Sequence, residues 1–209
     1  FLHADTLLAI GRKSKKDSTS RDVFAFHHVR IYKSDLQGVC DSLTYSQVDS
    51  TIRFFRNPVL WSGANQMTAD SITLQTSGGA LKRIDLRMNA FILSQSDTLQ
   101  QGPVDSLRFN QITGKNMTGH FVENKIERIE VKGNGQTIYF AKDKEKLIGV
   151  NKAECSNLNI YIKENKVDKL TFLKKPQATL YPMSDFDPET FKLKGFTWRE
   201  SERPFSFQD

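Results

Sequence analysis

Apolar and polar residues alternate with a period of two along most of the chain. Val29 and Ile31, Ile52 and Phe54, Ile72 and Leu74, and Ile84, Leu86 and Met88 follow it. So do Ile129 and Val131, Ile138 and Phe140, Leu158, Ile160 and Ile162, and Leu170 and Phe172. Successive side chains of a strand point to opposite faces, so this spacing predicts half-buried strands and not helices. Turn-forming clusters separate the runs, among them Ser77-Gly78-Gly79, Gly133-Asn134-Gly135 and Glu164-Asn165-Lys166. Short strands at such intervals predict an all-β fold of the sandwich, jellyroll or β-helix kind.

The pattern also repeats. Ala69-Asp70-Ser71-Ile72, Gly114-Lys115-Asn116-Met117 and Cys155-Ser156-Asn157-Leu158 align without gaps. In each copy a second strand begins 12 residues after the apolar anchor, at Ile84, Ile129 and Leu170. Two earlier copies, Ala4-Asp5-Thr6-Leu7 leading to Val29 and Cys40-Asp41-Ser42-Leu43 leading to Ile52, have other loop lengths. The unit is a strand, a turn and a strand, used about five times over residues 1–182. Its first copy reads as truncated, with more chain expected before Phe1. After Pro182 the alternation stops, and residues 183–209 read as a C-terminal cap or extension. Pro188 is placed to start a short helix that would run to about Lys194, with Gly195 ending it.

Two columns of the repeat bear on chemistry. One holds Ala4, Cys40, Ala69, Gly114 and Cys155, small in every copy, which implies tight packing and makes the two cysteines buried small hydrophobes rather than a disulfide or a metal pair. The next holds Asp5, Asp41 and Asp70 but then Lys115 and Ser156. A catalytic or cation-binding carboxylate would not change identity in this way, and a local Asx turn at the strand entrance accounts for it. The four histidines have no metal-ligand spacing, and neither Ser nor Cys lies in a nucleophile context. No catalytic residue, no metal ligand and no cofactor site is expected.

Composition narrows the function classes. The 209 residues include 15 Phe and carry a net charge of +6, enough bulk for a real core and a mild bias toward anionic partners. No run approaches the roughly 18 apolar residues of a membrane helix, and the first residues lack the pattern of a secretory signal. Acids interleave with the Lys and Arg residues and no aromatic-basic strand face is present, which argues against nucleic acid. The run Arg12-Lys13-Ser14-Lys15-Lys16 reads as a solvated hairpin tip.

The phrases Cys40-Asp41-Ser42-Leu43-Thr44-Tyr45, Ile52-Arg53-Phe54-Phe55-Arg56-Asn57-Pro58-Val59-Leu60-Trp61, Asn65 to Asp70 and Gly114 through Val131 resemble the OstA-like (LptA-like) repeats of lipopolysaccharide transport. The resemblance covers about residues 1–182 and rests on repeated strand phrases, not on a catalytic signature. It implies an open-ended, twisted β-jellyroll in the periplasm of a Gram-negative bacterium that binds lipopolysaccharide or lipid A without catalysis. Acyl chains would lie between the sheets, and edge strands would pair with related jellyrolls or with a second copy. By position it implies acyl contacts at Ile72, Leu74, Ile84, Leu86, Met88, Met117, Phe121, Ile129, Val131, Ile138, Phe140, Leu158, Ile160, Leu170 and Phe172. Lys82, Arg83, Lys125, Arg128, Lys166 and Lys169 near the turns would meet the lipid phosphates. The C-terminal segment departs from the family pattern and reads as a cap of the last strand or as an extension. The competing reading is a structural or adhesive β-repeat module with a filled core.

Overall fold

The computed structural model describes residues 1–13, 19–96, 108–143, 146–164 and 166–206. Fourteen strands run through them: β1 (Leu2–His3), β2 (Thr6–Lys13), β3 (Thr19–Lys33), β4 (Leu36–Ser46), β5 (Thr51–Phe55), β6 (Val59–Ser62), β7 (Asn65–Thr68), β8 (Ser71–Ser77), β9 (Ala80–Gln95), β10 (Phe109–Val122), β11 (Lys125–Asp143), β12 (Lys146–Lys163), β13 (Lys166–Leu173) and β14 (Gln177–Tyr181). All the pairings are antiparallel.

Long strands change partners halfway. β4 pairs with β5 through residues 42–46 but with β6 through residues 37–39, β9 changes from β8 to β7, and β12 from β13 to β14. The hydrogen-bonded network is therefore folded along a line into two layers. Sheet I runs β2-β3-β4-β5-β8-β9-β10-β11-β12-β13, and sheet II runs β1-β3-β4-β6-β7-β9-β10-β11-β12-β14. The result is an all-β jellyroll open at both ends.

The fold line has a local chemical cause. At five corners two consecutive residues adopt left-handed backbone: His27 and His28, Arg56 and Asn57, Met88 and Asn89, Gly133 and Asn134, Lys174 and Lys175. Gly133-Asn134-Gly135 is thus no loop but a bend inside β11, where the ladder shifts register between Lys132 and Gly135. Opposite these corners lie the repeat phrases. The N–H groups of Asp5, Asp41, Asp70 and Ser156 donate to the carbonyls of His27, Arg56, Met88 and Lys174. The Asp side chains reach across as well, Asp5 to His28 at 2.8 Å, Asp41 to Arg56 at 3.2 Å and Asp70 to Asn89 at 3.0 Å. The carboxylates brace neighbouring strands at the bend, in place of the local Asx turn that the spacing suggests.

The small column lies at the crease. A Cβ on Gly114 would meet the Val131 side chain at 2.4 Å, so nothing larger fits there without displacement. Cys40 and Cys155 are free and belong with Ala69 to the cluster between the sheets. Their thiols donate to the carbonyls of Ser42 at 3.2 Å and Asn157 at 2.9 Å. Burial pushes the Cys40 thiol up to about 12 and raises that of Cys155 too, so both remain protonated and unreactive at neutral pH.

Beyond Tyr181 the chain crosses the outer face of sheet II as a strap. Buried Phe191 and Leu193 join Phe91, Leu93, Phe109, Ile138, Phe140 and Val150 in a second cluster, with Met183, Phe186, Phe196 and Trp198 packed against it. Its rings pack at 4.9 Å (Phe109 and Trp198) and 5.0 Å (Phe140 and Phe186). Three buried glutamines of the sheet hold it. Gln111 donates to the Phe191 carbonyl at 2.7 Å and accepts from the Leu193 N–H at 2.9 Å. Gln66 does the same to Thr197 and Arg199, both at 2.7 Å, and Gln37 accepts from the Arg203 guanidinium at 2.6 Å.

The helix expected from Pro188 does not form. Among the described residues the strap has only short 3-10 turns, Met183–Asp185 and Glu200–Glu202. Phe191 and Leu193 both face the sheet, a period-two demand that extended backbone meets and a helix does not. Where it begins, the strap packs on the outer face of β14, with the Tyr181 and Phe191 ring centres 5.2 Å apart, and β14 pairs with β12 alone among the described strands.

Candidate functional site

Between the sheets the interior is apolar from one open end to the other. Ile72, Leu74, Ile84, Leu86, Met117, Ile129, Val131, Leu158 and Ile160 form the buried cluster there, with Phe121, Leu170 and Phe172 packed against it. Cross-strand register places them in rows, Leu74 opposite Ile84, Gly119 opposite Ile129 and Ile160 opposite Leu170, so the 12-residue spacing of the three later copies corresponds to equivalent hairpins. The corner lets each phrase change face: Cys40 and Leu43, Ala69 and Ile72, and Cys155 and Leu158, three residues apart, all point inward.

Along the crease the packing is closed. Toward the hairpin tips and the β13 edge it parts into a cavity of about 510 Å³, within the range of ligand pockets. Sheet I lines it with Phe121, Ile126, Ile129, Ile160, Ile162, Val167 and Leu170, and sheet II with Met67, Ile92, Ile112 and Tyr139. Its polar rim carries Ser62, Asn65, Ser94, Asn110, Asn124 and Lys125. The apolar surface stays exposed at the ends of the molecule, through Leu7 at one and Val167 and Leu180 at the other.

Three residues expected in this interior lie elsewhere. Met88 is 46% exposed, because it is the first left-handed residue of a corner. Ile138 and Phe140 belong to the cluster under the strap, although residue 138 also borders the cavity. On β11 the inward positions after the bend are Thr137 and Tyr139, since Thr137 pairs with Ile112 and Ala153. The apolar phase changes from odd to even numbers between Val131 and Ile138 because sheet II buries its outer face. The same effect hid Ile92 and Ile112, whose neighbours Phe91 and Gln111 face the strap. The phase change itself was the available signal.

The expected phosphate-binding cations do not converge. Arg83 pairs with Asp85 at 2.6 Å and Arg128 with Glu130 at 2.9 Å, on the outer face of sheet I, where Lys169 also stands 5.8 Å from the Tyr161 ring centre. Lys82 does not line the cavity, whereas Lys125 does. The Lys166 side chain and residues 14–18 of the basic hairpin lie outside the described residues. Among the described residues no group of three His, Cys, Asp or Glu side chains is placed to hold a metal, and no helix is long and apolar enough to cross a membrane.

The fold and the cavity together define a class: an open β-jellyroll with an apolar groove between its layers. Among solved structures the chain is similar to LptH of Pseudomonas aeruginosa, the LptA-homologous periplasmic component of the lipopolysaccharide transport device. That match has a TM-score of 0.50 at 10% identity and covers 70% of this chain and 95% of LptH. The LptA-like fold is therefore shown by structure. No protein-family model matches the sequence, and no curated protein matches it.

Proposed function

We propose that this protein is a non-enzymatic carrier of lipopolysaccharide in the periplasm, with the lipid's acyl chains held between sheets I and II. The observation that carries the reading is the apolar groove: an LptA-like jellyroll parts along its hairpin tips and leaves large aliphatic side chains facing a cavity. Each methylene that moves from water into such a groove contributes about 0.8 kcal/mol. Similar side chains along its length let a chain move without large barriers. The same cavity weighs against a structural module with a filled core.

Open edges complete the reading. The first strand passes from sheet II in β1 to sheet I in β2, and the last from sheet I in β13 to sheet II in β14. A second jellyroll whose first strand lies beside β13 and β14 continues the antiparallel alternation in both layers at once. Among the described strands β14 pairs with β12 alone, and β2 offers its own edge with Leu8 and Ile10 exposed. Partners of the same architecture, or a second copy, fit such edges.

Native mass spectrometry with lipopolysaccharide and, separately, with its de-acylated core saccharide tests the proposal. Retention of the acylated form alone is expected. Retention of neither, or of both equally, contradicts it.

A further inference from the structure

The strap covers only part of the outer face of sheet II. Beside it, across β11, β12 and β14, that face is polar, and register fixes which side chains stand there. Gln136 lies two residues before Ile138 of the covered cluster and so shares its face. Glu154 is opposite Gln136 and Lys152 opposite Ile138. Across the next ladder Gln177 is opposite Glu154, and Thr179 opposite Lys152. Directly opposed residues have Cβ atoms about 4.5–5.5 Å apart, so these five side chains are neighbours in two rows. They ring a hollow of about 220 Å³ that Tyr181 and Leu193 of the strap close on one side. Drug-sized ligands need roughly 300–1,000 Å³, and this hollow suits one smaller molecule.

The two rows differ in chemistry. In the first, the Glu154 carboxylate stands between the amides of Gln136 and Gln177, and their oxygens together match the three N–H donors of an ammonium. In the second, the Lys152 ammonium stands beside the Thr179 hydroxyl, two donors that match a carboxylate. Lys152 and Glu154 are about 6.8 Å apart along β12 by strand geometry and do not pair with each other. None of the five side chains bonds to another described residue, whereas Gln37, Gln66 and Gln111 on the same face are all bonded to the strap. An anion alone would meet Glu154 and a cation alone Lys152, while a ligand with both charges satisfies both rows at once. We propose that this hollow binds a free α-amino acid through its ammonium and carboxylate, with an apolar side chain turned to Tyr181 and Leu193. The hollow lies on the opposite face of sheet II from the lipid groove and is independent of the carrier reading.

Binding of L-leucine, of leucinamide, which lacks the carboxylate, and of 4-methylpentanoate, which lacks the ammonium, is measured by ligand-detected NMR. The full chain is compared with Glu154→Gln and Lys152→Gln, both at exposed positions, with a circular dichroism melt to confirm folding. Leucine is expected to bind about tenfold more tightly than either analogue, and each variant to lose about tenfold for leucine. Lys169→Gln, on the outer face of sheet I, is expected to leave leucine binding unchanged. Phosphoethanolamine, the zwitterion of a lipid headgroup, is expected to bind more weakly than leucine because it brings nothing apolar to Tyr181 and Leu193. Equal binding of leucine and its two analogues overturns the site, as does binding of none of them. An equal loss in Lys169→Gln reveals a general charge effect and overturns it too. Phosphoethanolamine bound as tightly as leucine overturns the assigned ligand.

Discussion

The outer faces of the two sheets are built on opposite principles, although the same long strands contribute to both. Sheet I meets water with a charged ladder. Asp85 lies between Arg83, Arg87 and Thr118, and Glu130 between His120, Arg128 and Lys132. Sheet II carries Phe91, Leu93, Phe109, Ile138 and Phe140 on the corresponding face and hides them under its own C-terminus. A sheet with one wet face needs one apolar side per strand, whereas a sheet covered on both faces has no polar side to spare. The contrast explains how one strand, β11, shows its apolar residues at odd positions before the corner and at even positions after it. It also separates labour: sheet II is held across its width by buried amide contacts to the strap.

The strongest way to break this contrast is to delete residues 183–209. That uncovers at least six large apolar side chains, each worth about 1.5–3 kcal/mol of burial, a sum comparable with a domain's whole stability of about 5–15 kcal/mol. The shortened chain is expected to aggregate or to lose its cooperative thermal transition. A melting curve like that of the full chain would show that the strap is incidental.

A smaller effect follows from Gln111→Leu, which leaves the buried Phe191 carbonyl and Leu193 N–H without partners. About 2–3 kcal/mol is expected to be lost in urea unfolding. A loss below about 0.5 kcal/mol would mean that water or the strap itself replaces the amide.

Sheet I yields the smallest effect and one that depends on pH. Burial would raise the Asp85 carboxyl, but the hydrogen bonds from Arg83 and Thr118 and the charges of Arg83 and Arg87 outweigh it and hold the group below its ordinary value. Asp49 is held to about 2, first by its hydrogen bond from Thr51 and then by that from Arg53. A carboxyl whose folded value lies below its unfolded one contributes fully above about pH 4–5 and loses that contribution as the pH falls through the folded value. Asp85→Asn is therefore expected to cost about 1 kcal/mol or less at neutral pH and to flatten the decline in stability below about pH 4. An unchanged acid limb would place the sensitivity elsewhere.

Much of sheet I is legible in the sequence, because one wet face produces clean alternation and the 12-residue hairpins repeat it. Ile72, Leu74, Met117, Ile129, Leu158 and Ile160 could be placed inside on that basis. Sheet II could not be read in the same way. Burial on both faces erases the alternation, so Ile138 and Phe140 were indistinguishable in type from groove residues, and Ile92 and Ile112 were masked by their neighbours. The strap's partners were less visible still. Gln37, Gln66 and Gln111 look like surface residues until a distant segment supplies their hydrogen bonds. Corners with two left-handed residues have no strong sequence requirement either, as the pairs His27-His28 and Lys174-Lys175 show.

The central claim is that acyl chains occupy the space between the sheets, and adjacent residues of β12 test it most directly. Ile162 lines the cavity, while Tyr161 pairs with Arg128 and Lys169 on the charged outer face. A photo-crosslinking amino acid is placed at one or the other position, and the protein is irradiated with lipopolysaccharide. The account predicts a lipid adduct at position 162 and none at 161. Adducts at 161 alone, or equally at both, would contradict it.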